Sequence, residues 1–176
     1  RHIRVIAAEA ALKQAQEDRK LQKLTNESLL SQAQLKSDLA ALDLQAWSDG
    51  KSPQQLFELR TKLALAEEAY TRGRKNLEYV KEGAAKGYRT MIEVEQERIN
   101  LLRSRQDYEL AQGAIDLFRR FTHPRALMSL TGLNEQAAIA VKQRVRLGEV
   151  SLRSREIRVR AAELALSIQQ DAFKTI

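Results

Sequence analysis

Side chains able to do acid–base, nucleophilic or metal chemistry are sparse in this sequence. There are two histidines, His2 and His123, and no cysteine, so a thiol nucleophile, a thiolate metal site and a disulfide framework are all excluded. His123 adjoins Pro124 and reads as a residue of a helix break rather than a metal ligand. No Gly-rich phosphate loop follows a strand, no H-E-x-x-H occurs, and no acidic loop has calcium-ligand spacing. The carboxylates fall mostly one per helical turn, four residues ahead of a base: Glu58 with Lys62, Glu68 with Arg72, Glu82 with Lys86, Glu149 with Arg153, Glu156 with Arg160. Pairs in that orientation add only about 0.2–0.5 kcal/mol each to an exposed helix. No catalytic residue, cofactor or metal site is expected, and the chain reads as a non-enzyme.

The composition points to long helices that hold such pairs in solvent. Of 176 residues, 43% are hydrophobic and 30% charged, but only 5% are aromatic, with two prolines and seven glycines. Aromatic side chains fill thick cores, so a chain this poor in them buries narrow seams instead. The length suits one domain, 1–176, and opening on Arg1 is read as an excised or processed part of a larger protein. No apolar run approaches the ~20 residues needed to cross a bilayer. Net charge is +7, and between Lys142 and Glu163 seven basic residues face three glutamates. Such a charge excess can attract nucleic acid or anionic lipid, although a solvated helix face is the simpler reading.

Apolar spacing predicts four helices, at about 2–47, 54–86, 91–121 and 125–172. In the second, Leu56, Leu59, Leu63, Ala66, Tyr70, Gly73, Leu77, Val80 and Ala84 alternate three and four apart through four heptads, the pattern of a left-handed coiled coil. The last segment carries two stripes. One is Leu147, Val150, Ser154, Ile157, Ala161, Leu164 and Ile168; the other is Val145, Leu152, Val159 and Leu166. Two stripes imply a wider buried face than a two-helix seam requires, so a further helix is expected to pack there. The first segment holds a looser heptad in Leu21, Leu24, Ser28, Leu35, Leu39, Leu42 and Ala46. The third offers Ile92, Ile99, Leu102, Gln106, Leu110, Ala114, Leu117 and Phe121.

Three places interrupt the pattern. Ser48 to Pro53 reads as a loop and a helix start, with Gly50 in the loop, Ser52 as N-cap and Pro53 at the first helical position. Thr122-His123-Pro124 repeats that grammar. Gly83 to Thr90 holds two glycines and, after Ala84, no seam residue, and reads as a turn. Pro53 lies 35 residues before position 88 and Pro124 lies 36 after it. A fold-back at the turn therefore brings the two breaks to one height, giving a joint built around Gly50, Pro53, Thr122 and Pro124, with Trp47 packing there. The expected fold is all-α, a long antiparallel coiled-coil helical hairpin with a break partway along each arm. Arms of ~80 residues would reach ~120 Å. The alternative, chain reversal at all three interruptions, is an up-down-up-down four-helix bundle.

Residues 83–90, Gly-Ala-Ala-Lys-Gly-Tyr-Arg-Thr, followed by Glu93, Ile99, Leu102 and Ala111, resemble the hairpin tip of periplasmic adaptor subunits, the HlyD-like membrane fusion proteins. There a "K-G-hydrophobic-x-Ser/Thr" turn enters a helix with an early acid. Phe118 to Arg125 resembles the aromatic-Thr-x-Pro-basic break of long-hairpin members, and Ala-Glu-Ala-Ala-Leu at 8–12 and Ala-Leu-Ala-Glu-Glu at 64–68 resemble their helices. The resemblance implies a periplasmic hairpin rising from a lipoyl domain split across Arg1 and Ile176, anchored to the inner membrane through parts outside this chain. Its tip residues Lys86, Gly87, Tyr88, Arg89 and Thr90 would dock on an outer-membrane channel. The absent domains would contact an inner-membrane transporter, and copies would assemble as a homo-oligomeric tube. The family pattern places an Arg and a Leu on the last turns before the tip; here Tyr79 and Gly83 stand there, and Thr90 matches the Ser that follows.

Two other function classes fit the same residues. A coiled-coil scaffold or spacer needs the seams but no flanking domains. A nucleic-acid or lipid-binding module would use Lys142–Arg160. Nucleic acid is not expected, because Arg144, Arg146, Arg153, Arg155, Arg158 and Arg160 do not share one helical face and no aromatic residues interleave with them.

Overall fold

A computed structural model describes residues His2–Lys174. The chain is an all-α helical hairpin. One side is α1 (His2–Gln45), a π-helical turn π1 (Ala46–Lys51) and α2 (Ser52–Ala85). The other is α3 (Met91–Leu117), a second π-helical turn π2 (Phe118–Thr122) and α4 (His123–Lys174). No strand occurs among the described residues. Contacts divide the chain into two compact units, Asp43–Thr131 and the remainder on either side of it.

In the unit Asp43–Thr131, α2 lies antiparallel to α3. The α2 stripe that begins at Leu56 and ends at Ala84 is the seam: every one of its nine residues is at least partly buried, Leu77 most of all. The partner edge on α3 is not the expected one. Val94, Glu97, Leu101, Ser104, Tyr108, Ala111, Ile115 and Phe118 face α2, again three and four apart. Ile92, Ile99, Leu102, Leu110, Leu117 and Phe121 remain exposed, and only Ala114 of the expected stripe turns partly inward. Two contacts show the rotation of α3. A Cβ on Gly73 would stand 3.2 Å from Ser104 Oγ and 3.4 Å from Leu101 Cδ1, so the missing side chain admits α3 along that edge. Tyr70 stacks on Tyr108, with ring centroids 5.9 Å apart and planes 12° from parallel.

In the other unit, α1 packs antiparallel against α4, and here too the leucine-rich edges face outward. Leu21, Leu24, Leu35, Leu39 and Leu42 are exposed, while Ala8, Leu12, Ala15, Leu29, Ala33 and Ala40 turn towards the seam. On α4 the Leu152–Val159–Leu166 stripe is the inner one, with Val159 buried, whereas the Leu147-to-Ile168 stripe is exposed and Val145 is outside the seam. The further helix expected against a doubled face is therefore not supplied within this unit. Small residues at the inner positions allow close helix approach, and polar bonds fix the register. Asn26 Nδ2 donates to Gly148 O at 3.0 Å and to Ser151 Oγ at 2.9 Å, while Asp18–Arg155 and Arg19–Glu156 bridge the helices at 3.6 and 3.5 Å. A polar residue inside a coiled-coil seam specifies alignment. Asn26→Ala should cost about 1 kcal/mol, the net worth of a hydrogen bond or two; chemical denaturation of the variant checks it.

Of the five acid–base pairs expected along the helices, Glu68–Arg72 closes, at 2.9 Å. Glu156 turns to Arg19 instead.

The breaks at 46–53 and 118–124 are not loops, and neither reverses the chain. Gln45, Lys51 and Ser52 all keep right-handed helical dihedrals, and Ser52 is no N-cap. The Ser52 amide donates to Trp47 O and the His123 amide to Phe118 O, each five residues back and each immediately before a proline. A proline ring in a helix collides with the carbonyl four residues earlier and removes one hydrogen bond. A turn widened by one residue relieves both faults without ending the helix. The up-down-up-down alternative requires reversal at these two places and is excluded. Gly50 keeps a negative φ with open space around it, so its presence did not make a turn.

Candidate functional site at the hairpin tip

The tip is built by a helix exit and a helix entry with little between them. Helix α2 runs through Gly83 to Ala85, so the connection is shorter than the sequence indicated and comprises residues 86–90. Gly87 has φ +76°, its amide donates to Ala84 O at 3.0 Å, and the Tyr88 amide donates to Gly83 O at 2.9 Å. Together these are the two bonds of a Schellman exit, which requires a left-handed residue where glycine alone is free of a Cβ clash. Gly87→Ala should lower the stability of the Asp43–Thr131 unit by about 1 kcal/mol, measured as a shift in the thermal unfolding midpoint.

Thr90 starts α3. Its side chain accepts from the Glu93 amide at 3.3 Å, and a Glu93 carboxylate oxygen accepts from the Thr90 amide at 2.7 Å, a reciprocal capping box. The other carboxylate oxygen accepts from Arg89 at 2.9 Å. The Thr90 amide first, and Arg89 after it, hold the Glu93 carboxyl below its ordinary value. Glu93 in turn raises Arg89. A depressed carboxyl contributes stability that is present above its unfolded value and lost as pH falls through the folded one. The unfolding midpoint of the chain should therefore drop on acidification through that window, and Glu93→Gln should remove this part of the drop. Profiles of the two proteins against pH provide the check.

Lys86, Gly87, Tyr88, Arg89 and Thr90 thus come together at one end of α2 and α3, all exposed. Gly83 is occupied in another way: a Cβ there would stand 2.7 Å from Arg89 Cγ, so the glycine makes room for the arginine stem. The sequence reading missed the apolar character of the tip. Tyr88 and Ile92 are 82% exposed and Met91 is 74% exposed, with Tyr79 exposed one turn before Gly83. The Met91-Ile92 doublet directly after Thr90 was the available signal. A shallow groove lined by Tyr79, Val80, Arg89, Glu93 and Glu97 runs beside this patch. Such a surface can bind a complementary apolar surface.

The second group singled out, Gly50, Pro53, Thr122 and Pro124, lies in or beside the two π-helical turns, and all four residues are exposed. The contacts across this level are made by their neighbours. Ser52 Oγ and His123 Nδ1 share a hydrogen bond of 2.7 Å between α2 and α4. The His123 ring stacks on Trp47 at 6.3 Å and tilts against buried Phe118 at 6.0 Å. Pro53 and Pro124 shape the turns, and Ser52, Trp47, Phe118 and His123 join them. Among the described residues no cluster of His, Asp and Glu could hold a metal ion, and no helix is long and apolar enough to cross a membrane. The notional lipoyl junctions at Arg1 and Ile176 lie outside the described residues.

No protein-family model, curated protein or solved structure matches this chain.

Proposed function

We propose that this chain is the helical hairpin of a periplasmic adaptor subunit, resembling HlyD-like membrane fusion proteins, in a tripartite efflux or type I secretion system. It is a non-catalytic element of such a system. Its tip faces an outer-membrane channel, copies assemble as a homo-oligomer, and parts beyond this segment contact the inner-membrane transporter. The observation that carries the reading is the five-residue tip, whose Schellman exit and Thr90–Glu93 capping box fix the backbone that presents Tyr88, Met91 and Ile92 to solvent at the end of a coiled-coil pair. A pre-ordered backbone loses little conformational freedom on docking. Tyr79 and Gly83 replace the Arg and Leu of the family pattern, so the docking surface of this chain would rest on Tyr88, Met91 and Ile92.

The test begins with the coding sequence on either side of this segment. The reading requires half of a lipoyl-like β domain upstream and half downstream, and their absence ends it. In the full-length protein, a photo-crosslinker at position 88 should then join the adaptor to an outer-membrane channel, whereas one at exposed Phe57 should not. The competing reading, a coiled-coil scaffold or spacer, is favoured by the apolar heptad edges that α1, α3 and α4 leave unpaired. A start Met close upstream, without an export signal or membrane anchor, selects it.

A further inference from the structure

The outward stripe of α4 is a second surface, within the α1–α4 unit and independent of the tip. Leu147, Val150, Ile157, Leu164 and Ile168 each expose more than half of their surface. With Ser154 and Ala161 between them they maintain the three-and-four alternation over three heptads. Residues at these positions lie on the opposite side of the helix from Leu152, Val159 and Leu166, which face α1.

The borders of the stripe carry one sign of charge. Arg146, Arg153 and Arg160 run along one side, three or four residues from the apolar positions they flank, and Arg144 and Arg158 lie along the other. Between 144 and 167 no acidic residue occupies a bordering position. The glutamates at 149, 156 and 163 lie one column further back, and Glu156 is bound to Arg19. The five arginines are exposed and form no ion pair among the described residues. The basic excess that the sequence shows in this segment is therefore not diffuse: it brackets an apolar seam.

Width and charge together select the occupant. A strict two-in-seven stripe is the width of a helix–helix seam, narrower than the apolar face a helix presents to lipid, and it contains no aromatic residue. In a coiled coil the residues beside the seam choose the partner by charge. A second α4 would place arginine against arginine in either direction. We propose that this edge of α4 is a docking surface for an amphipathic helix whose apolar heptad stripe is bordered by Asp and Glu. The inference does not depend on the adaptor reading.

The full chain is titrated with two synthetic heptad peptides of equal length, Leu and Ile at the seam positions in both, bordered by Glu in one and by Lys in the other. The Glu-bordered peptide should bind roughly tenfold or more tightly than its counterpart, the sum of several modest charge pairs. Ile157→Asp with Leu164→Asp should abolish this binding while leaving helicity unchanged, because both side chains are exposed. Arg153→Glu with Arg160→Glu should reverse the preference towards the Lys-bordered peptide. The proposal is overturned if the two peptides bind alike or not at all, or if the substitutions leave binding unaltered. It is equally overturned if anionic phospholipid vesicles, and not the peptide, bind through Ile157 and Leu164. Sedimentation showing that the chain already covers this stripe by self-association, relieved by the Ile157→Asp, Leu164→Asp variant, would also overturn it.

Discussion

Phe118→Ala should destabilise the Asp43–Thr131 unit by about 3 kcal/mol, the lower end of the range for emptying a buried phenylalanine site, because a thin hairpin can partly collapse around the cavity. Phe118 is 6% exposed. It begins π2, where the His123 amide donates to its carbonyl, and its ring lies against His123, which is hydrogen-bonded to Ser52 on α2. Losing the ring therefore removes apolar burial and also loosens the imidazole that joins the two widened turns. Phe121, three residues on and 65% exposed, is the control: Phe121→Ala should change stability by no more than about 0.5 kcal/mol, as surface substitutions do. Urea denaturation followed by far-UV circular dichroism distinguishes the two. Equal losses would mean that π2 does not hold its aromatic residues as described.

Leu77→Ala should cost about 2–3 kcal/mol by the same cavity argument, since Leu77 is the most buried residue of the α2 seam. Leu110→Ala on α3 should be nearly neutral, although Leu110 belongs to a stripe with helical spacing of its own; it is 65% exposed. The contrast tests the rotation of α3 about its axis rather than the existence of the hairpin. A large loss at Leu110 with little at Leu77 would place the other edge of α3 in the seam and refute the observed packing.

These two comparisons concern residues whose types look alike in the sequence and whose surroundings differ. The α2 seam was legible throughout because one unbroken heptad has no rival on that helix. The turn was legible because Gly83 and Gly87 fall where the heptads stop, between two helical segments; the Thr90–Glu93 capping box emerged only in the structure. The π-helical turns were not legible as such. Proline normally ends a helix, and the one-residue widening that accommodates Pro53 and Pro124 depends on Trp47, Ser52, Phe118 and His123 meeting between the two sides of the hairpin.

Residue spacing alone established that the chain is built from long helices and that it reverses near Tyr88. Spacing states how often an apolar side chain returns to one side of a helix. It cannot state which side a neighbour will cover. On α1, α3 and α4 that choice followed from contacts between residues far apart in the chain: Asn26 with Gly148 and Ser151, Gly73 with Leu101 and Ser104, and Tyr70 with Tyr108. Those close approaches favour small and polar edges inside, which leaves leucine-rich edges in solvent.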